Sequence, residues 1–109
     1  MTKKMNEVIA NAHNYQSNLT ENSDSKEKMF DMLYSDSILR MIPIEKEDFT
    51  DADEAKLNEI VNGHCEINGY DPNDTIDGNK EKHDFNVEDF EALANGIAIE
   101  MKDYFISLQ

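Results

Sequence analysis

The sequence predicts a mainly all-α fold, a small bundle of about four helices with one irregular acidic segment. Three observations carry that expectation. Apolar residues recur at three- and four-residue spacing in four separate stretches, two of these stretches open on capping-box patterns, and one long stripe runs to the C-terminus. A chain of 109 residues makes one domain, 1–109.

The first helix is expected from about Thr2 to Tyr15, with Met5, Val8, Ile9 and Ala12 on one face. Residues 17–23 are polar apart from Leu19 and read as a loop. Asp24-Ser25-Lys26-Glu27 has capping-box spacing and starts the second helix, whose stripe is Phe30, Leu33, Tyr34, Ile38 and Met41. Pro43 ends it. The alternative is a small α+β fold, with a short strand near 38–45 and a hairpin near 64–70.

Thr50-Asp51-Ala52-Asp53 starts the third helix, with Leu57, Ile60 and Val61 inward, and Asn62-Gly63 is its expected stop. Residues 63–85 contain Gly63, Gly69, Pro72 and Gly78 and no periodicity, which predicts an irregular segment. Asn86 then caps the last helix, whose core face is Val87, Phe90, Leu93, Ala94, Ile97, Met101, Tyr104 and Phe105. Ala92, Ile99 and Ile106 form a second stripe at spacings of seven. We expect the rest of the domain to cover it; a homodimer seam or docking face is the other reading.

The 24 Asp and Glu against 10 Lys and Arg leave a formal charge of −14, which argues against direct binding of nucleic acid or of an anionic membrane. The single Cys65 and the absence of an apolar leader at the N-terminus predict a cytoplasmic protein without disulfides. Neither an enzymatic motif nor a cofactor-binding motif is visible. Asp71, Asn73, Asp77 and Gly78 fit a calcium loop poorly and an ordinary turn well. His64, Cys65 and His83 lack the spacing of a zinc knuckle. Asp36-Ser37-Ile38-Leu39 resembles the Asp-Ser-Leu phosphopantetheine site of acyl carrier proteins over those residues alone, with Ser35 in place of the usual Gly.

Clustered charge is the unusual signal. Residues 43–109 hold 18 acids and 5 bases, whereas residues 1–42 hold 6 and 5. The clusters are Glu45, Glu47, Asp48, Asp51, Asp53 and Glu54, then Asp71, Asp74 and Asp77, then Glu88, Asp89 and Glu91. Carboxylates in first helical turns gain about 0.3 to 1 kcal/mol each from the helix dipole, which accounts for some positions but not for the excess. Phe49 and Tyr70, each beside an acid, would serve as anchors on a basic partner if exposed.

In size, acidity, helical character and lack of a catalytic motif, the chain resembles the small phage or mobile-element inhibitors that block host defence nucleases, including anti-CRISPR proteins. The resemblance implies a stoichiometric inhibitor in the basic DNA- or guide-RNA-binding groove of an RNA-guided endonuclease. The twelve acids are then the contact residues, with Glu45 to Glu54 first. An interaction module docking through Ala92, Ile99 and Ile106, or an allosteric inhibitor using that face, is the alternative.

Overall fold

A computed structural model describes residues 2–109. The described residues form α1 (Met5–Ser17), α2 (Ser23–Lys26), α3 (Met29–Met41), α4 (Asp51–Ile67), α5 (Ile76–Lys82) and α6 (Val87–Ser107). Two short strands, β1 (Lys3–Lys4) and β2 (Asp48–Phe49), pair antiparallel, Lys3 opposite Phe49. The fold is therefore predominantly all-α, with four long helices. No strand forms over 38–45 and no hairpin over 64–70, because α3 runs to Met41 and α4 continues to Ile67.

Helix α3 lies at the centre. It packs on α1 along one side and on α6 along the other, with α4 against both α3 and α6. Met29, Leu33, Ile38 and Met41 of α3 meet Val61 and Leu57 of α4 and Ile97, Met101 and Phe105 of α6 in one core. Each such buried apolar side chain stabilises the fold by about 1.5 to 3 kcal/mol relative to exposure. No helix among the described residues is long and apolar enough to cross a membrane.

Two boundaries differ from the sequence expectation for a common reason. The helix expected to run on from Asp24 is broken after Lys26, and α3 restarts at Met29. The loop after α4 causes the break: its Pro72 and Asp74 carbonyls accept from the Phe30 and Met29 amides at 2.9 and 2.8 Å. Orphan donors of a first turn need partners, and here a distant backbone supplies them. In the same way the Glu47 carbonyl accepts from the Met5 amide at 2.7 Å, so α1 starts at Met5 instead of Thr2.

Residues 63–85 are also more ordered than expected. Gly63 does not stop α4, which extends one more turn, and α5 occupies 76–82 with Thr75 as its N-cap. Asn79 organises the turn between them from within the core. Its Oδ1 accepts from the Asp71 amide at 2.8 Å, and its Nδ2 donates to the Asp71 and Thr75 carbonyls at 2.9 Å each. A side chain thus completes hydrogen bonds that backbone pairing leaves open.

Candidate acidic interaction surface

Helices α4 and α6 run antiparallel. Tyr104, near the end of α6, meets Asp53 at the start of α4, and Glu100 meets His64 at 2.9 Å near the far end of α4. Along α6, Asp89 lies about 22 Å from Tyr104 at 1.5 Å per residue. The first predicted acidic cluster therefore sits at one end of the molecule and Glu88, Asp89 and Glu91 at the other. Tyr70, Phe85 and Phe90 pack edge to face in sequence, with centroids 4.9 and 6.3 Å apart, so the Asp71–Asp77 turn joins the second end.

Several of the twelve acids have work inside the fold. Asp53 is buried, contrary to its expected role as a contact residue. It reciprocates the Thr50 cap, accepts from Lys46 Nζ at 2.8 Å and accepts from the Tyr104 hydroxyl at 2.7 Å. Burial, the largest single influence, pushes its carboxyl up; the hydrogen bonds from Lys46, Thr50 and Tyr104 together outweigh it and hold the group below the usual range. Asp48 is exposed but paired with Lys4 at 2.8 Å across the strand pair, and that contact holds it below the ordinary carboxylate range.

Asp89 closes the Asn86 capping box. Asp71 accepts from the Asn73 amide at 2.9 Å, and Asp74 accepts from the Thr75 amide at 2.8 Å. These are local turn and cap contacts of the kind short acids make. Glu45, Asp77, Glu88 and Glu91 are exposed and Glu54 is half-buried. None of these five side chains hydrogen-bonds or ion-pairs among the described residues. Glu47 lies 3.6 Å from Lys4, and Asp51 is exposed.

The pairing of α4 with α6 adds acids that the linear clusters omit. Asp51, Glu59 and Glu66 are exposed along the outer face of α4 at intervals of eight and seven, which keeps them on one side of a helix. Glu100 and Asp103 of α6 flank that face. Glu59, Glu66 and Glu100 border a cavity of about 510 Å³ with His64 and Ile67. A band of carboxylates thus runs along α4 from one acidic end toward the other. The visible signal was the repeat at 51, 59 and 66; the contribution of α6 depends on a non-local packing.

Six of the ten bases, Lys4, Arg40, Lys46, Lys56, Lys80 and Lys82, are already ion-paired with acids, and this leaves the rest of the exterior strongly negative. Phe49 is buried against Phe105, so it is not an anchor, and Tyr70 is covered by His83 and Phe85. Ser37 is also buried, its hydroxyl donating to the Ala94 carbonyl at 3.3 Å, which removes it as an attachment point. Burial pushes the Cys65 thiol up to about 11, an inert state. No three His, Cys, Asp or Glu side chains among the described residues are grouped to hold a metal ion.

The second stripe of α6 is not covered, contrary to expectation. Ala92, Ile99 and Ile106 are all exposed, Ile99 by 64% and Ile106 by 52%. At about 100° per residue they lie opposite Ile97, Met101 and Phe105, which face the core. Because α3 and α4 both pack on the inner half of α6, no element remains to reach its outer side.

Comparison of the chain with protein-family models, curated proteins and solved structures finds no match.

Proposed function

We propose that the protein is a non-catalytic inhibitor that occupies a basic nucleic-acid-binding groove, of the kind an RNA-guided nuclease presents, and so excludes DNA or guide RNA. The observation that carries this reading is the exposed band formed by Asp51, Glu59 and Glu66 on α4 with Glu100 and Asp103 on α6, which connects the acidic ends. A rigid helix displaying carboxylates at regular intervals offers a cationic groove a field like that of a phosphate backbone. The repulsion among these groups opposes folding, and contact with a basic partner relieves it.

The test uses a guide-loaded RNA-guided endonuclease and measures duplex capture with and without the protein. Capture should fall in proportion to added protein, and inhibition should weaken steeply with salt as the ionic contacts are screened. Glu59→Lys with Glu66→Lys should restore capture without changing helicity. Glu66 has no ion pair among the described residues, and Glu59 only an exposed one with Lys56 at 3.7 Å, whereas reversal of Asp48 would break its 2.8 Å contact with Lys4 across the strand pair. Inhibition that is indifferent to both salt and the two reversals would rule out exclusion by charge.

A second reading rests on Ile99 and Ile106. Under it the protein is an acidic helical interaction module that pairs through the outer face of α6, in the simplest case with a second copy of itself, and the charge serves dispersal in water.

A further inference from the structure

A second concavity of about 510 Å³, within the range of small-ligand and side-chain pockets, lies between α1, α3 and α4. Val8 and Ala12 of α1, Ile38 of α3 and Phe49 beside α4 supply its apolar floor, while Phe30 and Tyr34 stack at 5.7 Å on one wall. Its charged lining is two carboxylates, Asp31 and Glu54, against one base, Lys3, and Asn11, Ser35 and Asn58 add neutral polar groups. Tyr15 also lines this space, with its hydroxyl shut off from solvent.

We infer that this cleft receives an arginine side chain of the protein partner, with its alkyl stem on the Val8 and Ile38 floor and its guanidinium between Asp31 and Glu54. The occupant follows from complementarity. A guanidinium is planar, stacks on aromatic faces such as Tyr34 and Phe30, and pairs with carboxylates. An anion is disfavoured by the two carboxylates, and a wholly apolar side chain would leave both carboxylates without partners. Burial, and then Glu54, push the Tyr34 phenol up to about 12, so it stays protonated and neutral beside a cation. Glu54 also belongs to the acidic start of α4, so the cleft opens beside the proposed groove-binding surface. The inference rests on a basic protein partner, as the proposed function does, but on different residues.

The experiment titrates the intact protein with acetyl-Leu-Arg-Leu-amide, and with counterparts in which arginine is replaced by citrulline or lysine, while following the ring resonances of Tyr15, Phe30 and Tyr34. Citrulline keeps the shape and removes the charge. The arginine peptide should give saturable shifts of these rings, with citrulline binding at least tenfold weaker and lysine in between. Asp31→Asn with Glu54→Gln should bring the arginine peptide down to the citrulline level at unchanged helicity. Absence of saturation, or equal binding of arginine and citrulline peptides, overturns the inference. Glu59→Lys with Glu66→Lys should leave peptide binding intact, so failure of the acidic-band reading and failure of the cleft are told apart.

Discussion

The Tyr104 hydroxyl donates to Asp53 Oδ1 at 2.7 Å and ties the end of the last helix to the first turn of α4. Asp53 accepts there while also reciprocating the Thr50 cap and pairing with Lys46, so one buried carboxylate joins three segments. Hydrogen bonds to charged groups contribute about 1.5 to 3 kcal/mol, so Tyr104→Phe should lower unfolding stability by about that much near neutral pH. Asp53→Asn should cost more, about 3 kcal/mol, since it weakens the cap and strips Lys46 of its partner.

The same contact sets a pH dependence with two edges. Asp53 is held below its ordinary value of 3.8, so its contribution is complete above about that pH and is lost as the pH falls further. Burial, and then Asp53, push the Tyr104 phenol up from 10.0 to about 12, so its contribution is complete below about 10 and is lost as the pH rises through that interval. Chemical unfolding across both ranges should show shallower pH slopes in Tyr104→Phe than in the parent; equal slopes would remove this pair as their cause.

Asn79 should matter more than any acid of the turn it holds. Asn79→Asp keeps the acceptor for the Asp71 amide but loses the donor to two carbonyls, in a fully buried position. A buried group left without a partner costs about 1 to 3 kcal/mol. Hydrogen exchange should show early loss of protection at the Asp71 amide and, because Pro72 and Asp74 cap α3, at Met29 and Phe30. Exchange confined to residues near Asn79 would mean that the turn does not support α3.

Gly78 is expected to invert a familiar rule. Ala normally stabilises a helix interior by about 1 kcal/mol relative to Gly, but a Cβ here would collide with the Asp74 carboxylate. Gly78→Ala should therefore bring no gain, because Asp74 must leave the Thr75 amide to make room. With Asp74→Ala already in place, Gly78→Ala should stabilise by the ordinary amount. A double-mutant cycle read by thermal unfolding measures this coupling, and additivity would disprove the steric cause.

What the sequence made legible follows the range of the interactions. The apolar faces of α3, α4 and α6 and the caps at Thr50 and Asn86 depend on residues three or four apart, and their spacing is visible in the chain. Helix α5 was hidden because Ile76 is its one apolar residue and Gly78 lies inside it. The break before Met29 and the role of Asn79 depend on partners brought together by folding. Likewise the linear acidic clusters mixed Asp53, Asp74 and Asp89, which serve the fold, with Glu45, Asp77 and Glu88, which face outward. Only the antiparallel packing of α4 on α6 reveals that Glu59, Glu66 and Glu100 line one surface.

Ile99 decides between the two readings of function. It stands 64% exposed on the side of α6 away from the core, so Ile99→Glu should leave thermal stability within about 0.5 kcal/mol of the parent, as surface substitutions usually do. If the outer face of α6 joins two copies, the parent should sediment as a dimer and Ile99→Glu as a monomer, because a glutamate at a seam would be buried against its own symmetry mate. If the acidic band acts alone, both should sediment as monomers and inhibit duplex capture equally. A dimeric parent whose inhibition is lost with Ile99→Glu but kept with Glu59→Lys and Glu66→Lys would transfer the function from the charged face of α4 to the apolar face of α6.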